Sequence, residues 1–173
     1  EFNEIFFSDV RVPVENALDE VGNGWAVAMT TLLHERGTLG FALTAGLESQ
    51  IRKLIALAKQ RGATPLQRDA IAREWIGLQA VRYTNYRALT TLMKTGIPGP
   101  EGSGAKLWWS EANQRVTKLA LELLGAEATV LADGDGYWQH QQLRSRGNTI
   151  EAGTSEILRN IIAERVLGLP RSR

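Results

Sequence analysis

The 173 residues predict an all-α chain, an up-down four-helix bundle preceded by a residual β-strand. Three observations carry that reading. Long stretches without proline place apolar residues at helical spacing. Gly- and Pro-bearing breaks separate them. Only the opening segment alternates apolar and polar residues as a strand does.

The alternating segment runs from Glu1 to Val14 and closes at Pro13. A lone strand has no partner in an otherwise helical chain. It is therefore expected to belong to a sheet outside this sequence, and the chain reads as a piece of a longer protein cut between domains. The expected organisation is residues 1–14 as the last strand and linker of an absent β-domain, and 15–173 as the helical bundle. Gly22-Asn23-Gly24 is a turn, with Asn23 as N-cap. From Trp25 to about Gln60 apolar residues occupy nearly every face, among them Ala28, Leu32, Leu39, Leu43, Leu47, Ile51 and Leu54. Such a helix is usually buried, so it is expected at the centre of the bundle.

Gly62-Ala63-Thr64-Pro65 breaks it, with Thr64 as N-cap and Pro65 in the first turn of a second helix. That helix carries Ile71, Trp75, Leu78, Val81, Tyr86 and Leu89 and ends near Gly96. Ile97 to Gly102 is a Pro/Gly-rich loop. A third helix follows, with Leu107, Trp108, Val116, Leu119, Leu123 and Leu124 inside and Gly125 as its C-terminal cap. Ala126–Ala132 adds a short helix, Asp133–Gly136 a turn, and Tyr137–Gly147 is polar and ambiguous. The last helix starts at Thr154 and stops at Gly168-Leu169-Pro170.

Composition narrows the function. A hydrophobic share of 43% with 23% charged residues is that of a globular domain. A net charge of +1 gives no electrostatic case for nucleic acid or an anionic membrane. The absence of cysteine excludes disulfides and thiolate metal sites, and the two histidines, His34 and His140, are too far apart in sequence to suggest a ligand pair. No apolar run is long enough to cross a bilayer, and a cytoplasmic location is the default expectation. The aromatics Trp108, Trp109, Tyr83 and Tyr86 read as core or helix interface. Gly134-x-Gly136 lacks a preceding strand and is no dinucleotide fingerprint.

The run Thr149-Ile150-Glu151-Ala152-Gly153-Thr154-Ser155-Glu156-Ile157 is the most informative in the chain. A polar turn bearing a carboxylate meets the start of an amphipathic helix. Unpaired N–H groups there suit an anionic or oxygen-rich ligand, and Thr154 or Ser155 can cap one of them. A second candidate for proton chemistry is Glu35, whose helical neighbours Ala28, Leu32, Leu39 and Ala42 form an apolar row. Burial there raises a carboxylate's basicity. The bland alternative is that Glu35 only pairs with a cation, Glu151 only complements a helix dipole, and Thr154 is a plain cap.

The same run resembles the Tyr-Glu-Gly-Thr-x-x-Ile signature that closes the acyl-CoA dehydrogenases. Phe2–Pro13 resembles the last strand of that family's middle β-domain, Gly22-Asn23-Gly24-Trp25 its opening of the C-terminal domain, and Leu167–Arg171 its close. The resemblance implies an FAD-dependent α,β-dehydrogenation of an acyl-CoA thioester, with an electron-transfer flavoprotein or similar acceptor and a homo- or hetero-tetrameric assembly. Ala152 stands where many members carry their catalytic Glu. Leu33-His34-Glu35-Arg36 resembles the Glu-Arg pair of the branch, including isovaleryl-CoA dehydrogenase, that keeps its base on the first long helix. The resemblance thus implies Glu35 as base, Glu151 as second choice, and Arg36 as a residue shaping the site. It further implies cofactor contacts at Thr154 and Glu156, at Arg61 (where the family's following Phe-Gly pair is missing) and at Glu122 and Gly125. A non-catalytic partner subunit of a hetero-oligomer, or a related flavin oxidase, is the alternative function.

Overall fold

A computed structural model describes residues 3–96, 99, 101–131 and 136–171, and within the helices every side chain but those of residues 33, 35–39 and 101. Its helices are α1 (Gly24–Arg61), α2 (Pro65–Thr95), α3 (Glu101–Leu124), α4 (Tyr137–Asn148) and α5 (Ser155–Arg165), with 3-10 turns at Val14–Asn16 and Gly125–Thr129.

Local sequence sets the boundaries. At the start of α2, Thr64 Oγ1 accepts the Gln67 N–H at 3.3 Å while the Gln67 side chain accepts the Thr64 N–H at 2.9 Å, with Pro65 in the first turn. Two otherwise orphaned donors are satisfied reciprocally. Gly62 ends α1 at φ 79° and Gly96 ends α2 at φ 72°, each in the left-handed region where glycine carries no Cβ penalty. The expected side-chain cap at Asn23 is not made; its amide nitrogen donates to Asp19 Oδ2 at 2.6 Å.

The core is built at 3–4-residue spacing from Leu47, Ile51, Leu54 and Ala58 of α1, Ile71 and Leu78 of α2, and Ala112, Val116 and Ala120 of α3. Trp75, Trp108 and Trp138 pack against it as expected of structural aromatics.

Three expectations are corrected. The central helix is α3, which packs against α1, α2, α4, α5 and the second 3-10 turn. At 38 residues α1 is about 57 Å long, while α3 with 24 residues is about 36 Å. The first turns of α1 therefore outrun the bundle, and Trp25, Met29 and Leu32 are 79%, 40% and 43% exposed. The fourth helix of the bundle is two short ones, α4 of 12 and α5 of 11 residues, each packed on α3. Finally, no strand occurs among the described residues. Residues 3–13 are exposed coil with Asp9 at φ 52°, since a strand needs a ladder partner and none occurs among the described residues.

The α2–α3 contact is close. A Cβ built on Gly77 would lie 2.2 Å from the Trp108 ring. Alanine is worth about 1 kcal/mol over glycine in a helix interior, yet the indole must move to admit it. Gly77→Ala is therefore expected to lower stability by about 1–3 kcal/mol, read as a fall in the urea midpoint at unchanged slope.

Candidate functional site

The overhang of α1 forms one wall of a cleft of about 520 Å³ through Leu32, Gly40 and Leu43. Gly102, Lys106 and Trp109 of α3 form the floor, and the turn Glu151-Ala152-Gly153 with Leu158 of α5 closes the other side. Among the described residues the lining is mostly apolar, with Lys106 and Glu151 as its ionisable members. Gly40 belongs to a buried polar tie. The Asn85 amide donates to Gly40 O at 3.0 Å and to Thr44 Oγ1 at 2.8 Å, which fixes this stretch of α1 on α2.

The turn is held from several directions. The Lys106 ammonium, 6% exposed, donates to Asn148 O and to Gly153 O, both at 2.8 Å. Asn113 Nδ2 donates to Asn148 Oδ1 at 2.7 Å, and Asn148 Nδ2 passes a bond on to Glu151 Oε1 at 2.6 Å. Arg144 donates to Glu151 Oε2 at 2.8 Å. Burial pushes the Glu151 carboxyl up, but the bonds from Arg144 and Asn148 and the charges of Arg144 and Lys106 outweigh it and hold it below the ordinary range. Glu151 is thus anionic, with both oxygens engaged, which makes it a weak base. Ala152 adopts φ 52° and Gly153 φ 102°.

At the start of α5, Thr154 Oγ1 accepts the Ile157 N–H at 3.3 Å, so the expected cap is made. Ser155 Oγ is buried with no hydrogen-bond partner among the described residues. Glu156 is exposed, and its carboxyl is lowered first by its own backbone N–H and then by the Thr154 side chain.

The sequence pattern of the "Acyl-CoA dehydrogenase, C-terminal domain" family matches residues 22–167. The chain belongs to the acyl-CoA dehydrogenase family, as its C-terminal domain. It is 43% identical to acyl-CoA dehydrogenase IpdE1 of Mycolicibacterium smegmatis over 99% of this chain and 43% of that protein. With IpdE1 of Mycobacterium tuberculosis it shares 40% identity over 99% of this chain and 45% of that protein. It is similar in structure to the ChsE4-ChsE5 complex from Mycobacterium tuberculosis, with a TM-score of 0.77 and 26% identity over 96% of this chain and 46% of that one. The chain thus spans a little under half the length of these relatives.

Within this acyl-CoA dehydrogenase domain the residues singled out by sequence fall into two groups. Position 35 of α1, Glu151, Thr154 and Glu156 gather at the cleft end; the side chains of Glu35 and Arg36 lie outside the described residues, while their backbone is helical. Arg61 lies eighteen residues beyond Leu43, about 27 Å further along α1. Its guanidinium is engaged by both oxygens of Glu127, with one bond of 2.7 Å. Glu122 is exposed, 3.9 Å from Lys118, and Gly125 opens the 3-10 turn at φ 59°. Arg61, Glu122 and Gly125 are thus at the far end of the bundle from the cleft.

Sequence reading missed Lys106, Asn113, Arg144 and Asn148. A signal was available. Ser103, Lys106, Ser110, Asn113 and Thr117 repeat at 3–4-residue spacing and are all buried, forming a polar row on α3 beside the apolar row Ala105, Ala112, Val116, Ala120. Buried polar side chains at helical spacing must find partners, and α4 with its following turn supplies them for Lys106, Asn113 and Thr117, while Ser110 donates to Leu107 O within α3.

A carboxyl lowered in the folded state contributes stability that is complete above its unfolded value of 4.5 and is lost as the pH falls through the folded value. Urea unfolding at pH 6 and pH 3 should therefore show a smaller acid loss of stability in Glu151→Gln than in the unsubstituted protein. Equal acid losses would mean that the Arg144 and Asn148 bonds do not favour the ionised form.

Proposed function

We propose that this domain forms one wall of the active site of an FAD-dependent acyl-CoA dehydrogenase, working in the cytoplasm, with Glu35 as the base that removes the substrate α-proton. The whole protein then introduces an α,β double bond into an acyl-CoA thioester. Residues 1–14 belong in this reading to a preceding domain, and 15–173 form the C-terminal bundle.

The observation that carries the reading is the state of the turn opposite α1. Ala152 has no ionisable group, and Glu151 has both carboxylate oxygens bonded and its pKa lowered. The turn therefore supplies no group suited to take a proton at neutral pH. The facing wall is α1, where Leu32, Gly40 and Leu43 line the cleft. Position 35 is one turn beyond Leu32 on that helix, and an apolar wall raises the basicity of a carboxylate placed there. Arg36, next in the chain, is assigned to shaping the site.

FAD when bound supplies the acceptor for the β-hydrogen, which leaves as hydride. The residues that fit it are at the start of α5. Ser155 Oγ is a buried polar atom with no partner among the described residues, beside the Thr154 cap and a helix N-terminus suited to oxygen-rich groups. Thr154 and Glu156 would complete that side. Arg61, with Glu122 and Gly125, would serve a cofactor only at the far end of the bundle, and Arg61 would have to exchange its bonds to Glu127. The mostly apolar cleft wall excludes water around the acyl chain, and an electron-transfer flavoprotein or similar carrier is the proposed acceptor of the electrons.

The assembly proposed is a homo- or hetero-tetramer. Trp25, Met29 and Leu32 on the α1 overhang form an exposed apolar stretch of the kind that interfaces cover. The likeness to the ChsE4-ChsE5 complex favours a two-component enzyme. In that case this chain is either the subunit that carries the base or its non-catalytic partner.

The deciding experiment is anaerobic stopped-flow reduction of FAD in the full-length enzyme by an acyl-CoA. Glu35→Gln keeps the shape but cannot accept a proton, so reduction should slow by about a hundredfold to ten-thousandfold with FAD content unchanged. Glu151→Gln should slow it far less. If only Glu151→Gln stops reduction, the base lies in the turn. If neither does, the chain is the non-catalytic partner or the chemistry is another.

A further inference from the structure

Between α4 and α5 the chain has to make a turn that its own residues disfavour. Ala152, a residue with a Cβ, sits at φ 52°, and Gly153 follows at φ 102°. A left-handed non-glycine residue costs about 1 kcal/mol and persists only when its surroundings impose it. Something outside the turn must hold it.

The polar ties converge on one group. Lys106 Nζ donates to Asn148 O, the last residue of α4, and to Gly153 O, immediately before the α5 cap, each at 2.8 Å. One ammonium therefore clasps both ends of the turn. An ammonium suits this task because its donors spread tetrahedrally and can meet carbonyls arriving from different directions. Asn148 O also belongs to the carbonyl-rich end of α4, where a cation is favoured by the helix dipole. The bonds through Asn113, Asn148 and Arg144 fix the Glu151 side chain, whereas Lys106 fixes the backbone.

We propose that Lys106 is a positioning residue for the reaction: it sets the height of the Asn148–Gly153 turn over the cleft, and with it the start of α5. Lys106, Ala152 and Gly153 all line that cleft. A shift of the turn would move the wall facing α1 and the Thr154–Ser155 group together. This inference rests on the functional reading above for its link to catalysis, but the clasp itself stands on geometry.

The test uses the full-length, FAD-loaded enzyme with Lys106→Met, Lys106→Arg and, as a core control, Val116→Ala. Val116 is fully buried in the apolar row of α3 and touches none of the turn's polar ties. Two quantities are read, amide hydrogen exchange across residues 149–156 and the rate of FAD reduction at saturating acyl-CoA. Lys106→Met should speed exchange in that segment by at least about tenfold over the control at matched global stability, and slow FAD reduction by about tenfold or more. Lys106→Arg, which keeps charge and several donors, should restore most of both. Should Lys106→Met not fold, Lys106→Gln is read in the same way. Segment exchange no faster than in Val116→Ala overturns the proposal, and so does unchanged FAD reduction alongside a loosened turn. If acyl-CoA does not reduce the unsubstituted enzyme, the functional reading fails, and the exchange measurement alone decides whether Lys106 holds the turn.

Discussion

The rest of the structure depends on α3 lying at the centre, packed against every other helix, with Arg115, Lys118 and Glu122 as the exposed strip among its described side chains. Polar groups on its buried faces cannot reach solvent, so they need partners within the fold. On one flank Ala105, Ala112, Val116 and Ala120 are small or β-branched, which lets α1 and α2 approach closely. On the other, Ser103, Lys106, Ser110, Asn113 and Thr117 demand partners. Asn113 is met by Asn148, Thr117 by Gln142 at 2.5 Å, and Lys106 by two carbonyls. The polar row thereby dictates where α4 and the turn after it must lie. Apolar packing alone would tolerate a slip along α3; a set of directional bonds does not.

The cleft follows from two length mismatches. α1 outruns α3, so its early turns stand beyond the bundle as a free wall. α4 and α5 are too short to fill the fourth position as one helix, so the chain turns between them at the cleft. The opening arises where helices end, and the residues at its rim are caps, glycines and a left-handed alanine. That distribution separates stability from chemistry. The Leu47–Ala58 stripe carries the core, while the cleft end is held by hydrogen bonds whose loss would loosen the site before it unfolded the domain.

Much of this was legible in the sequence, for reasons that differ by element. Thr64-Pro65 and the glycines at 62 and 96 stated their boundaries outright, because caps act through neighbouring residues only. The spacing of Ile71, Leu78 and Val81 did the same for the buried face of α2. The centrality of α3 was not legible. Its apolar content is no greater than that of α1, and burial depends on relative helix length, which no window of residues contains. The helix at Tyr137–Asn148 was obscured because it pays for burial in hydrogen bonds rather than apolar area. The alternation at the start forms no strand among the described residues, because alternation describes what a segment does with a ladder partner, and the sheet expected for it lies outside this sequence. Lys106 sat in a readable row, but lysine in a helix is so often a solvated residue that only its regular spacing with Ser103, Ser110 and Asn113 could have marked it.

The offset between Glu151 and Ala152 shows why register in a turn decides chemistry. In a helix, a shift of one residue swings a side chain by about 100° around the axis. In this turn the change is greater in kind, because Ala152 is left-handed and Glu151 lies three residues past the end of α4. Glu151 is near enough to Arg144 and Asn148, on the last turns of α4, to be bonded by both, and those bonds lower its pKa. The Glu151 carboxylate is thus engaged by the cation and amide of α4 that border the turn. The same arrangement leaves a methyl group at Ala152, on the cleft wall opposite α1. Under the proposed function the turn offers shape, and the proton falls to α1, which lines the opposite wall through Leu32, Gly40 and Leu43.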